Sequence, residues 1–143
     1  MKKCYLDSNV LVYFKFEPLK HHGKAERVIL SFDYLFISPL TIDEFIHSLR
    51  FFLRRDKYKE EEIIKLLEQA LDSILALDNL TIINPPTDKT SNRSIIKLMQ
   101  EFHLGPRDAY HLLIMKENNI GNFATFDTDF KYVFRKKVLK LFK

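Results

Sequence analysis

Four acidic residues stand where the local pattern of the chain changes: Asp7 in CYLDSNVLVYF, Glu44 in SPLTIDEFIHSL, Asp108 in LGPRDAYHLLIM and Asp127 in NFATFDTDF. One carboxylate between an apolar strand and an apolar helix needs no special chemistry, since Asp is a good helix N-cap. Four that meet are different, because like charges a few ångströms apart raise one another's pKa values. A cation must then neutralise them. An all-oxygen donor set suits Mg²⁺ or Mn²⁺, which keep several waters and take a few carboxylates together with phosphate oxygens. Water activated by such an ion can attack phosphorus in line, and a second ion about 3.5–4 Å away would stabilise the leaving oxygen. The chemistry implied is phosphodiester hydrolysis.

Whether the acids meet depends on the elements that carry them. Residues 2–6, 34–38, 80–84 and 122–126 are short apolar runs of strand length, and residues 138–142 are a candidate last strand. The clearest helix is KEEEIIKLLEQALDSILAL, where Ile63, Leu66, Leu67, Ala70, Leu71 and Ile74 recur on one face and Glu60, Glu61 and Glu62 suit the positive helix start. Further helices are expected over residues 24–31, 40–54, 91–102 and 106–118, with Pro39 and Pro106 suited to first helical positions. Alternating strands and helices predict an α/β fold with a parallel sheet of four to five strands covered on both faces. In such a sheet ligands bind beyond the carboxyl ends of the strands. Asp7 and Asp127 follow strands at that rim, while Glu44 and Asp108 lie early in helices that start from it.

The 143 residues suit one compact domain, residues 1–143. No apolar run approaches the roughly 18 residues of a membrane span, and Asp7 interrupts the apolar part of the N-terminus. A cytoplasmic protein is therefore expected. Cys4 is the only cysteine, which excludes an internal disulfide and a cysteine zinc cluster and suits a small core residue of the first strand. A net charge of +4 and a pI near 9.1 are compatible with a polyanionic partner. Two basic stretches interleave with aromatic residues: Arg50, Arg54, Arg55, Lys57 and Lys59, then Lys131, Arg135, Lys136, Lys137, Lys140 and Lys143. Arg50, Arg54, Arg55, Arg107, Lys131 and Arg135 are the candidates for contact with the phosphates of such a partner, against the commoner reading of solvated helix faces.

The ordered set YLDSNVLVY, SPLTIDEFIHSL, LGPRDAYHLLIM and ATFDTDF resembles the PIN-domain nucleases, especially the VapC-like ribonuclease toxins of bacteria and archaea, over essentially the whole chain. The resemblance implies a three-layer α/β/α fold and a metal-dependent endoribonuclease. It implies Asp7, Glu44, Asp108 and Asp127 as catalytic acids holding one or two Mg²⁺ or Mn²⁺ ions, with Asp129 assisting or replacing Asp127. Thr125 resembles the family's small hydroxyl residue beside the fourth acid, and Asn9 is a supporting residue. The resemblance further implies an RNA substrate, a protein antitoxin and a homodimer.

Each acid also has a structural reading. Asp7 could be only a cap. TIDE fits a capping box in which Thr41 and Glu44 exchange bonds with the backbone, and at about 100° per residue Glu44 points roughly away from the face of Phe45, Ile46, Leu49 and Leu53. Leu40 and Phe51 nevertheless share its side, so that face also suits a groove or a partner. Asp108 at a helix start gains from the macrodipole whether or not metal is present. His111 reads as a structural or surface histidine, with contact to the site or to RNA as the alternative, and His21, His22, His47 and His103 lack zinc spacing. Two other functions compete. A haloacid dehalogenase-type phosphatase would share the Asp after the first strand but needs a second acid where Asn9 stands. A non-catalytic or RNA-processing PIN-like module would use the basic runs for binding.

Overall fold

The computed structural model describes residues 2–16, 20–135 and 140–142. Five strands, β1 (Lys3–Leu6), β2 (Tyr34–Ile37), β3 (Leu80–Ile82), β4 (Asn122–Ala124) and β5 (Lys140–Phe142), form one parallel sheet in the order β3-β2-β1-β4-β5. Eight helices lie along the described residues: α1 (Ser8–Lys15), α2 (His22–Leu30), α3 (Pro39–Arg55), α4 (Glu60–Leu75), α5 (Lys89–Arg93), α6 (Ile95–Phe102), α7 (Pro106–Glu117) and α8 (Lys131–Arg135). The expected α/β architecture, with helices on both faces of a parallel sheet, is the one observed.

Strand alternation divides the interior into two cores. Cys4 and Leu6 of β1, with Leu35 and Ile37 of β2, pack against α1 to α4 through Val10, Phe45, Leu49 and Ile74. Tyr5 and Phe123 point to the opposite face, where they meet Phe102 of α6, Leu112 and Met115 of α7, Val133 of α8, and Phe130 just before α8. Both faces of the central strands are thus buried, which explains why their sequences are apolar runs. Burial pushes the Cys4 thiol up to about 12, so it is an inert core residue as its position suggests.

The boundaries differ from the sequence expectation in instructive ways. Residues 91–102 are two helices, because Asp88 caps a single short turn by accepting the Ser91 N–H at 2.8 Å, and a second helix begins after Ser94. Ser and Asp side chains here compete with the helical ladder for backbone groups. Pro39 and Pro106 do occupy the first turns of α3 and α7. The short helix α8 falls in the stretch expected only as a basic surface run. Of the candidate last strand, Val138 and Leu139 lie outside the described residues, and β5 begins at Lys140. No described helix is long and apolar enough to cross a membrane.

Candidate active site

From β1 the chain builds outward through β2 to β3, then returns to place β4 on the other side of β1. The reversal opens a crevice at the carboxyl ends of β1 and β4, the usual ligand position in such sheets. Asp7 is the first residue after β1, and its N–H extends the ladder by donating to the Ala124 carbonyl at 2.9 Å. Its Oδ1 accepts the Ser8 N–H at 2.7 Å, and Oδ2 accepts the Thr125 hydroxyl at 2.7 Å. Asp7 is therefore the N-cap of α1 as well as a residue of the crevice. Asn9 secures the same corner, its amide nitrogen reaching Thr125 Oγ1 at 3.4 Å and its Oδ1 accepting the Phe126 N–H at 3.2 Å. Only 6% of Asp7 is exposed. Burial raises its carboxyl pKa above the ordinary carboxylate value; the nearby His111 and the Thr125 bond oppose that rise, while Glu44 adds to it.

Glu44 reaches the crevice from α3. The capping box of this helix lies one turn earlier than TIDE suggests: Ser38 is the N-cap, its Oγ accepts the Thr41 N–H at 3.4 Å, and Thr41 Oγ1 accepts the Ser38 N–H at 3.2 Å. Glu44 is thereby released from capping, and its Oε1 instead pairs with His111 Nε2. Nor is it solvated, since its side chain is only 14% exposed. His111 is fully buried on α7, and its Nδ1 lies 2.7 Å from the Tyr5 hydroxyl. One oxygen or nitrogen from each of Asp7, Glu44 and His111 lies within 4.8 Å of the others.

Asp108, Asp127 and Asp129 form a second group whose oxygens also lie within 4.8 Å of one another. Asp108 stands in the first turn of α7, after the N-cap Gly105 and Pro106. The segment after β4 carries the other two: the Asp127 N–H donates to Thr125 Oγ1 at 3.0 Å, and the Asp129 N–H donates to Asp127 Oδ1 at 3.0 Å. Asp127 is half-buried and Asp129 exposed. Partial burial, then the charges of Asp7 and Asp127, push the Asp108 carboxyl up to about 6. Asp108 thus feels acids of both groups. Among the described residues no Lys or Arg pairs with any of these five carboxylates, and His111 is the sole basic side chain bonded to one.

The sequence matches the family model for the PIN domain over residues 4–136. The chain belongs to the PIN domain family. Solved structures of similar fold include VapC20 of Mycobacterium tuberculosis, described as a sarcin-ricin loop cleaving toxin. It is 16% identical, with a TM-score of 0.69, over 91% of this chain and 94% of that one. FitAcB from Neisseria gonorrhoeae is 19% identical with a TM-score of 0.67 over 98% and 96% of the two chains. VapBC2 from Rickettsia felis, bound to a DNA fragment from its promoter, is 19% identical with a TM-score of 0.62 over 97% and 96%. Compared with curated protein sequences, the chain matches none at a significant level. Membership of the PIN family sets aside the phosphatase alternative.

Around this PIN crevice the basic candidates are spread unevenly. Arg107 is exposed beside Asp108 at the start of α7, and Lys131 follows Asp129 by two residues. Lys131 and Arg135 both lie over the Tyr132 ring, at 5.3 and 5.5 Å. Arg50 and Arg54 instead reach Glu60 at 3.2 and 3.4 Å, and Arg55 pairs with Asp56 at 3.3 Å. Arg54 and Arg55 stand ten or more residues beyond Glu44 on α3, about 15 Å further along the helix and away from the rim. Lys136, Lys137 and Lys143 lie outside the described residues. The residues that sequence reading passes over are Tyr5 and Ser38; it takes Thr41 only as a capping partner of Glu44, and His111 as structural or surface with contact to the site as the alternative. Their signal is that each puts a hydrogen-bonding atom where the pattern demands burial, and such atoms must find partners.

Proposed function

We infer that this PIN protein is a metal-dependent endoribonuclease and the toxin of a toxin–antitoxin pair. The observation that carries the reading is the meeting of Asp7, Glu44, Asp108 and Asp127 at one edge of the sheet, with Asp129 beside them and no Lys or Arg among the described residues paired with any of them. Such a charge deficit fits Mg²⁺ or Mn²⁺, as one or two ions, and the oxygen-rich donor set matches what those ions prefer. A divalent ion supplies a Lewis acid for phosphate oxygens and acidifies water at the site.

The chain's own residues would act around that chemistry. Asp7 is held rigidly by Ser8 and Thr125, Glu44 by His111, and both offer carboxylate oxygens to the crevice. Asp108, raised to about 6, is ionised at neutral pH and becomes protonated in mild acid, which would weaken cation binding there. Arg107 and Lys131, at the rim, are placed to steer an RNA backbone, while Arg50, Arg54, Arg55 and Arg135 offer phosphate contacts further out. The relatives support the biological setting: one of them is described as a toxin that cleaves the sarcin-ricin loop, and another is a VapBC2 assembly on promoter DNA. An antitoxin partner and a homodimer belong to the same reading.

Purified protein incubated with RNA and Mn²⁺ or Mg²⁺ is expected to cleave it, and to stop doing so in EDTA or after Asp7→Asn. Cleavage that persists through both changes would overturn the reading.

A further inference from the structure

Glu44 is held unlike the other acids of the crevice. Asp7 rests on a backbone N–H and a threonine hydroxyl, whereas Glu44 ends a chain of side chains running back through His111 to Tyr5, Ser38 and Thr41. Tyr5, Ser38, Thr41 and His111 are each fully buried, so water cannot stand in for any of their bonds.

Counting protons favours one direction for the chain. Ser38 Oγ and Thr41 Oγ1 each accept a backbone N–H within the capping box, which leaves each one hydroxyl proton to give. The Tyr5 oxygen is the nearer acceptor for each, at 2.8 Å from Ser38 and 3.1 Å from Thr41, against 3.4 Å between the two hydroxyls. A phenol oxygen accepts two hydrogen bonds and donates one. With both acceptor positions filled, the Tyr5 proton is directed at His111 Nδ1, 2.7 Å away. A ring nitrogen that accepts carries no hydrogen, so the hydrogen sits on Nε2, facing Glu44 Oε1.

Building on the nuclease reading, we propose that His111 is a positioning residue for Glu44. Its Nε2–H engages Oε1, leaving Oε2 as the oxygen free for a cation, while Tyr5 and the α3 capping box fix the ring. The helix cap that starts α3 and the carboxylate one turn later are then parts of one device. The sequence pairs them through Tyr5, a strand residue far from both.

The test begins with metal-free protein. Long-range ¹H–¹⁵N spectra are expected to show His111 protonated at Nε2, and a ring protonated only at Nδ1 would overturn the proposal. Mn²⁺ titrations then compare three variants. His111→Met fills the space without a donor and is expected to weaken Mn²⁺ binding about 10–100-fold. His111→Gln retains an amide donor and should recover most of that loss. Tyr5→Phe removes only the hydroxyl, should shift Mn²⁺ affinity in the same direction by a smaller factor, and carries the test if the methionine variant does not fold. In turnover, kcat should fall while KM for RNA holds. Wild-type Mn²⁺ affinity in a folded His111→Met or Tyr5→Phe protein would overturn the positioning role. A wild-type protein that takes up no Mn²⁺ would overturn the nuclease reading instead, and the nitrogen spectrum would still decide the donation to Glu44.

Discussion

The two halves of the acidic crevice are built on opposite principles. On one side, Asp7 and Glu44 are nearly buried and each is tied to a named donor, Ser8 and Thr125 for the first and His111 for the second. On the other, Asp108, Asp127 and Asp129 crowd one another at a more open edge, and Asp108 answers by rising to about 6. The first half is ordered by hydrogen bonds before any ligand arrives. The second stores repulsion that a cation would relieve. A site of this kind spends stability on readiness, a common trade between the two.

Substitutions can break that contrast. The largest effect is expected at the ordered half: Asp7→Asn keeps the cap and the shape but removes the charge, and should lower kcat on RNA by about 10²–10³-fold. A variant that cleaves at near wild-type rate would remove Asp7 from the chemistry. Next comes the cation itself. Mn²⁺ at about one hundred times its dissociation constant should add about 2.7 kcal/mol of stability, raising Tm by roughly 5–10 °C, and EDTA should reverse the shift in a calorimetric scan.

The repelled half gives a smaller effect with a distinctive pH signature. The folded-state pKa of Asp108, about 6, stands above its ordinary 3.8, so the fold holds a proton that the unfolded chain releases. Stability is therefore lost as pH rises from about 3.8 to about 6 and stays lower above that. Asp108→Asn should make the metal-free protein more stable than wild type at pH 7–8, with the advantage fading as pH falls toward 4. Urea unfolding at both ends of the range checks this, and an advantage independent of pH would contradict it. Smallest of all, Arg54→Ala removes an exposed pair with Glu60 outside both halves, and should change stability by no more than about 0.5 kcal/mol.

The layered fold was legible because strand and helix patterns alternate cleanly, and Pro39 and Pro106 mark helix starts. What the pattern cannot state is which buried polar atom meets which. Tyr5 reads as one more apolar strand residue, and only the alternation that sends Cys4 and Leu6 to the other face turns it toward His111. The capping box stands one turn before TIDE for a related reason: TIDE fits the local rule, but Thr41 bonds to Tyr5 and Glu44 to His111, and the box forms between Ser38 and Thr41 instead. Periodicity over residues 91–102 likewise concealed the break at Ser94, where side-chain bonds to the backbone outweigh helical propensity.

The sheet order also bears on when a nuclease could come into being during synthesis. β1 precedes the other strands in the sequence yet lies at the centre, where it pairs Tyr5 with Phe123, a partner synthesised much later. Such distant pairing is slow to form and must wait for the chain that supplies it. Asp7 and Glu44 can emerge from the ribosome long before Asp108 and Asp127 exist to join them. A nascent chain that has not reached Asp108 and Asp127 would therefore carry only half of these acids, and the proposed activity would have to await their synthesis.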